Sequence, residues 1–364
     1  MRTSSRGGRS VTIRDVARES KVSATTVSIV LNESPLARYI PPATKSRIQQ
    51  AANKLGYHPN LFARSLRSNR SHTVGLMVFD ITDPYCTLIM RGIQNGLYAA
   101  SYTPILTDAQ NERARFERYL EMLLARRVEG LVVIANWLFM DITLLADIEN
   151  NKLPCVMIGR ELDHGRVNSV IVDNELGGAM AVEHLYNLGH RRIAFLRGPK
   201  ALGGGDSAAR WRGIRKFAQQ RGLHVDPRLT SELPDSSDPS SGFEAAYKST
   251  NELIQHKRAF SAVLAFDDMS ALGAMRALAH AGIEVPRQCS VIGFDDIAPA
   301  ALCTPPLTTI RQPMEAMGAL AVNILLESLR SEPRDSGSAI HRRVAPQLVV
   351  RESTAPLKAR MEEA

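Results

Sequence analysis

Aromatic residues make up only 5% of this chain, and its four cysteines, Cys86, Cys155, Cys289 and Cys303, stand far apart. No two of them have metal-ligand spacing and nothing suggests a disulfide framework, so four free thiols in a reducing cytoplasm are expected. No apolar run approaches the roughly eighteen residues that a bilayer-spanning helix needs. The N-terminal MRTSSRGGRS is basic, but no apolar stretch or small-residue cleavage site follows it, so no secretion signal is expected. Catalytic signatures are missing too: there is no G-x-S-x-G, no H-E-x-x-H and no carboxylate pair with a credible acid/base partner. Gly203, Gly204 and Gly205 lack the Lys-Ser/Thr of a phosphate-binding loop. These absences argue against an enzyme, and no cofactor or metal site is expected. What is present is a 364-residue chain, 44% hydrophobic and 23% charged, which suits a soluble protein of two or three domains.

The net charge of +8 is unevenly placed. Residues 1–72 hold thirteen Lys or Arg against three Asp or Glu, a net of +10, which leaves the remainder near −2. A basic head on a nearly neutral body is the footprint of a nucleic-acid-binding module. An anionic membrane surface is the competing partner, but no amphipathic helix with large apolar anchors accompanies the charge.

Within that head, Thr12 to Asn32 predicts two short helices and a tight turn. Thr12 and Asp15 have capping-box spacing, and Ile13, Val16 and Ala17 form an apolar stripe. Ser20, Lys21 and Val22 connect, and Ser23 caps a second helix, Ala24 to Leu31, whose Val27, Val30 and Leu31 face inward. Ala24, Thr25, Thr26, Ser28 and Ile29 are left outside. An ordinary helical hairpin would look the same; a helix-turn-helix would lay the second helix in a DNA major groove. A third helix is expected from about residue 42 to Leu55, stopped at Gly56. NLFARSLRSNRSHT then reads as a linker able to form one or two helical turns, too short to be stable alone.

From Thr73 onward, β-rich runs (VGLMVF, PILT, GLVVI, CVMIG, SVIVD, RIAFL, AVLAF, SVIGF) alternate with helical stretches. That alternation predicts parallel sheets covered on both faces, in two doubly wound lobes, with the pattern restarting near Asn168. Ligands of such folds sit outside the carboxyl ends of the strands.

The segments TIRDVA, VSATTVS and LGYHPNLFARSL resemble the headpiece and hinge of the LacI/GalR family of bacterial transcriptional regulators. DITDPY, RRVEGLVV, VDNELGG, LGHRRIAFLRGP, ARWRG, VPRQCSVIGFDDI, PPLTTIRQP and LVVREST resemble its effector-binding core, so the likeness runs from Val11 to Pro356. It implies an all-α helix-turn-helix headpiece on a periplasmic-binding-protein-like α/β core that binds a small effector and dimerises. The expected layout is a basic tail at 1–10, the headpiece at 11–58, a hinge helix at 59–72, the core at 73–356 and a tail at 357–364. Within the core, the first lobe is expected at about 73–165 plus 303–330 and the second at about 166–302 plus 335–356.

The resemblance also places functional residues. Base reading falls on Ala24, Thr25 and Ile29; Ile29 offers apolar contact where a polar or basic side chain is common. Ser23, Thr26, Ser28 and Asn32 are candidates for phosphate contacts, which position without specifying. In the hinge, Leu66 is expected to wedge into the minor groove. Ala63 and its neighbours are expected to pair two hinge helices, with Arg64 and Arg67 beside them. The effector positions fall on Asp80, Asp83, Tyr85, Arg160, Arg210, Asp267 and Asp295, with Trp137 as a possible stacking face or, equally, a packing residue. A structural Arg210–Asp295 ion pair is the other reading of those two. Asp267 replaces the Asn more usual there. Acids, an Arg fork and an aromatic ring suit a sugar or sugar-like polyol. LARYIPP looks inserted relative to shorter headpieces, and Tyr39 is expected to pack on the third helix. The expected function is a cytoplasmic, homodimeric repressor on a palindromic operator, under carbohydrate control and without membrane contact. The alternative is a solute-binding protein of the same core fold.

Overall fold

The structure, a computed structural model, describes residues 11–32, 34–57, 70–135, 153–160, 167–198, 205–234, 241–330 and 339–357. Ala63, Arg64, Leu66, Arg67 and Trp137 lie outside the described residues. The chain forms two compact units, Met1–Ser71 and His72–Ala364.

The first unit is a three-helix module: α1 (Ile13–Ser20), α2 (Ala24–Leu31) and α3 (Pro42–Leu55). The Asp15 carboxylate accepts from both the backbone N–H and the hydroxyl of Thr12, which fixes the start of α1. Lys21, at φ 53°, turns the chain in the left-handed region so that α2 begins three residues later. Ser23 caps α2 by accepting from the Thr26 amide. Val16, Val27 and Ile48, one from each helix, are fully buried and close a small core with Ala51 and Ala52. Between α2 and α3 runs a short 3₁₀ turn, Pro35–Tyr39. Tyr39 does not pack on α3: it is 70% exposed, its hydroxyl accepts from Arg38 at 2.7 Å, and the guanidinium lies 4.7 Å from its ring centre. The ring pairs with the neighbouring cation instead, and the tyrosine that packs against this core is Tyr57, just past α3.

The second unit carries two six-stranded sheets. The first holds β1 (Thr73–Val78), β2 (Thr103–Asp108), β3 (Gly130–Ile134), β4 (Cys155–Ile158), β5 (Asn168–Val172) and β11 (His341–Val344), in the order β11-β5-β4-β3-β1-β2, all parallel. The second holds β6 (Ile193–Arg197), β7 (Thr230–Glu232), β8 (Ala262–Ala265), β9 (Ser290–Asp295), β10 (Thr308–Arg311) and β12 (Gln347–Val349), in the order β12-β10-β9-β8-β6-β7, with β12 antiparallel. Helices α4 (Pro84–Ala99), α5 (Arg113–Ala125) and α11 (Met314–Arg330) serve the first lobe. Helices α6 (Asn174–Asn187), α7 (Asp206–Arg221), α8 (Ser241–Gln255), α9 (Asp268–His280) and the short α10 (Ala298–Leu302) serve the second.

The lobe limits differ from the expected ones. Asn168–Val172 belongs to the first sheet rather than opening the second lobe, and Thr308–Arg311 belongs to the second sheet rather than returning to the first. Both are short buried strands, and a buried strand of a parallel sheet reads the same whichever neighbour it pairs with. His341–Val344 joins the first sheet as an edge strand; its HRRV is largely exposed, and such a charged edge carries no apolar signal. The backbone therefore passes between lobes after β5, after β10 and after β11.

Both lobes seal helix pairs by backbone-to-backbone contact at glycines. A Cβ on Gly92 of α4 would stand 2.0 Å from the Glu315 carbonyl oxygen of α11, and one on Gly213 of α7 would stand 1.9 Å from that of Glu175 of α6. Gly213→Ala must push α6 and α7 apart, so we expect a loss of about 3 kcal/mol, the upper end for overpacking. The urea midpoint of the core reads it, and an unchanged midpoint would contradict this packing.

Candidate functional site

The headpiece surface follows from how α2 is pinned. With Val27 buried, Thr25 stands exposed while Ala24, Ser28 and Ile29 are half-buried on the flanks. Ser23 and Thr26 serve the cap, their hydroxyls 2.8 Å apart. The Asn32 amide donates to both the carbonyl and the hydroxyl of Ser28, at 2.8 and 3.1 Å. So the predicted phosphate-contact side chains also hold the helix ends, and Ala24, Thr25 and Ile29 are left without such duties.

In the core, the strand ends gather charged side chains from both lobes. Asp80 follows β1 but is committed to its own turn. It accepts from the Thr82 amide at 2.8 Å, the Thr82 hydroxyl at 2.5 Å and the Asn111 amide at 3.2 Å. Asp83 caps α4 by accepting from the Tyr85 amide at 2.9 Å. Asp267, after β8, caps α9 in the same way, accepting from the Ser270 amide at 2.7 Å. Arg160 follows β4 through Gly159, whose φ of 88° turns the chain.

Arg210 is the hub of the second lobe. It stands one turn into α7 and is 7% exposed. Its guanidinium donates to Asn174 Oδ1 at 2.9 Å and to the Phe266 carbonyl at 2.6 Å, and reaches Asp295 at 3.5 Å. The rings of Phe294 and Phe266 lie 3.6 and 4.6 Å from it. A weakly hydrated planar cation tolerates that sandwich, and an ammonium would not replace it. Asp295 adopts φ 120°, a conformation L residues avoid, and its carboxylate also accepts from Gln312 at 2.6 Å. Behind it, fully buried Asp268 accepts from the Thr309 hydroxyl at 2.5 Å and the Ile297 amide at 3.0 Å, which holds the loop that carries Asp295.

The electrostatics tie the lobes together. Burial pushes the Tyr85 phenol up, and Asp206 and Asp295 of the other lobe push it further. Asp206 is itself raised by burial and pulled back by Arg210 and by Arg160 of the first lobe. Asp295 is raised by burial, with Arg210 opposing. Asp83 is pushed up to about 6 by burial, with Asp267 across the cleft adding to the rise. Its folded carboxyl thus titrates above the unfolded value of 3.8, so its contribution is complete at low pH and lost as pH rises through about 6. Relative to Asp83→Asn, the parent should lose stability as pH rises from about 4 to about 6. Parallel denaturation profiles for the two proteins would contradict this.

Asp83, Tyr85, Arg160, Arg210, Asp267 and Asp295 therefore come together, and Asp80 serves its turn. Asn174, Asp206, Phe266, Phe294 and Gln312 were not read from the sequence. Asp206 had a signal: it precedes Arg210 by four residues, one helical turn on the same face. Asn174 and Gln312 had none, because they reach the site only where the chain crosses between lobes. His184 bonds Thr354, and His190 bonds Ser261 and the Ala355 carbonyl, so both tie the C-terminal segment to the second lobe. Among the described residues no cluster suits a metal ion, and no helix is long and apolar enough to cross a membrane.

Residues 12–60 match the bacterial regulatory proteins of the lacI family, and residues 182–354 match the periplasmic binding protein-like domain. The chain is 33% identical to the HTH-type transcriptional repressor PurR of Aliivibrio salmonicida over 328 residues, 88% of this chain and 93% of that protein. It is 31% identical to the ribose operon repressor of Escherichia coli K12 over 320 residues, 87% and 93% of the two chains. Among solved structures, the lac repressor dimer bound to operator and the anti-inducer ONPF matches with TM-score 0.81 and 26% identity, over 95% of this chain and 100% of that one. The CelR–cellobiose complex matches with TM-score 0.69 and 27% identity, over 94% and 99%.

Proposed function

The chain belongs to the lacI family of bacterial regulatory proteins, and on that premise we propose how this DNA-binding transcriptional repressor reads its operator and senses its effector. Ala24, Thr25 and Ile29 of α2 meet base edges in the major groove: the Ala and Thr methyls suit thymine, and the Thr25 hydroxyl suits a base-edge donor or acceptor. Ser23, Thr26, Ser28 and Asn32 contact phosphates from the helix ends. Leu66 enters the minor groove from the hinge, where Ala63, Arg64 and Arg67 stand beside it. Two chains bind together, one on each half of a palindromic operator. The ligands of those two structures, cellobiose and the anti-inducer ONPF, favour a carbohydrate-like effector for this chain as well.

The effector occupies the interlobe cleft, held by Asp83, Tyr85, Arg160, Arg210, Asp267 and Asp295. One observation carries this reading: Ile297 and Met269 of the second lobe, two residues beyond Asp295 and Asp267 respectively, pack in the same apolar cluster as Tyr85 of the first. A ligand binding there interacts differently with the open and closed lobes, and only such a difference can shift a conformational population. The protein senses its ligand without converting it. Selection of DNA bound by the full chain from a random library tests the operator half: a single enriched palindrome is expected, and enrichment without dyad symmetry would overturn it.

A further inference from the structure

Asp268 gives its carboxylate to the turn that carries Asp295. It opens α9, but that helix is already capped by Asp267, which accepts from the Ser270 amide at 2.7 Å. Asp268 is fully buried and forms no ion pair among the described residues. One of its oxygens accepts from the Ile297 amide at 3.0 Å, and the Asp296 amide also donates to this carboxylate. The other oxygen accepts from the Thr309 hydroxyl at 2.5 Å. Thr309 pairs with Gly293 across β9 and β10, and a Cβ on Gly293 would stand 2.3 Å from that same oxygen. Strand β9 thus carries a glycine where the Asp268 carboxylate lies across it, two residues before Asp295. What these bonds hold is an unfavourable backbone. Asp295 and Asp296 stand in succession at φ 120° and 63°, which persists only where the surroundings over-determine it. Asp296 is gripped from outside by Arg311 and Arg351, at 2.6 and 2.5 Å. Asp268 is the grip from inside. Between the two, Asp295 turns its carboxylate to Arg210 and Gln312.

We propose that Asp268 is a positioning residue for effector binding: it sets the Asp295 carboxylate against Arg210 by holding the Asp296 and Ile297 amides and Thr309, and itself touches no ligand. The inference rests on the effector-sensing reading of the cleft, in which Asp295 meets the ligand. Placement rather than charge is what Asp268 supplies. Burial pushes its carboxyl up to about 7, so the neutral form is already populated near neutral pH. Asparagine keeps the shape: its carbonyl oxygen accepts from the two amides and its NH2 donates to the Thr309 oxygen. Alanine leaves three buried donors without their acceptor at once, and the turn loses its inner hold.

The test compares crystal structures and ligand binding of the full-length parent, Asp268→Asn and Asp268→Ala. In Asp268→Asn, Asp295 should keep its φ of 120° and its contact with Arg210. In Asp268→Ala, Asp295 should leave that conformation and its carboxylate should withdraw from Arg210. Thermal shift and calorimetry with D-ribose and with cellobiose read the consequence. A sugar that binds the parent should bind Asp268→Asn within about threefold, and Asp268→Ala at least roughly tenfold more weakly, the factor of one lost charge-assisted hydrogen bond. Leu253→Ala, buried in the last turn of α8, is the control for lost stability: it should lower Tm and keep the parent affinity. Thr309→Val deletes one of the three donors and should give a smaller loss in the same direction, which serves if Asp268→Ala does not fold. Asp295 in its parent conformation in Asp268→Ala would overturn the inference, and so would parent affinity in that variant. Equal weakening in Asp268→Asn and Asp268→Ala would overturn it too, because charge and not placement would then be at work. If neither sugar raises the Tm of any of these proteins, the carbohydrate reading of the cleft loses support, and the conformation of Asp295 still decides the inference.

Discussion

Arg210→Met should lower effector affinity at least ~100-fold while leaving operator binding in the absence of effector intact. The guanidinium donates to Asn174 and the Phe266 carbonyl and faces Asp295, between two phenylalanine rings. Methionine keeps the volume and loses all five donors. The acceptors that Arg210 orients are then left in a buried site, at a cost of about 1–3 kcal/mol each. Two such losses amount to about 2–6 kcal/mol, a range centred above the ~2.7 kcal/mol that a hundredfold change in affinity represents. Arg210→Lys should fall between the two, because an ammonium restores charge but cannot reproduce the fork. Calorimetric titration reads the affinity and anisotropy on labelled operator reads the DNA. An Arg210→Met protein that binds effector like the parent would remove this residue from the site.

Ile48→Ala should abolish operator binding and leave effector binding unchanged. Ile48 is the largest side chain in a core whose other fully buried members are Val16 and Val27. Truncating a buried isoleucine to alanine costs about 2–5 kcal/mol. A module of some fifty residues has only a few kcal/mol in hand. The headpiece is a compact unit separate from the core, so the damage stays within it. We expect operator affinity to drop at least ~100-fold, to the non-specific level, with an unaltered effector isotherm. Retention of specific binding would show that the module draws stability from elsewhere.

Much of this was legible in the sequence because it is local. Caps at Thr12 and Ser23, the apolar stripes of three helices and the strand–helix rhythm from Thr73 each depend on residues a few positions apart. Strand membership was not legible where it depends on the chain's passage between lobes, as for Asn168–Val172 and Thr308–Arg311. The site divides the same way. Arg210, Asp267 and Asp295 sit at strand ends or near the start of a helix, at positions that the family resemblance marks. Asn174 and Gln312 act only because a crossover brings them to Arg210 and Asp295. Asp80 looked like a ligand contact from its place after β1, but its oxygens answer to Thr82 and Asn111, which sequence order alone does not reveal.

The central claim is that occupancy of the cleft sets affinity for DNA. The direct measurement is a titration of labelled operator with the full chain, with and without a saturating compound that stabilises the core. A single coupling between two sites amounts to about 5–150-fold in affinity. We expect a change of at least about tenfold in operator Kd, and none in the Arg210→Met protein. The same operator Kd with and without bound ligand would contradict the account.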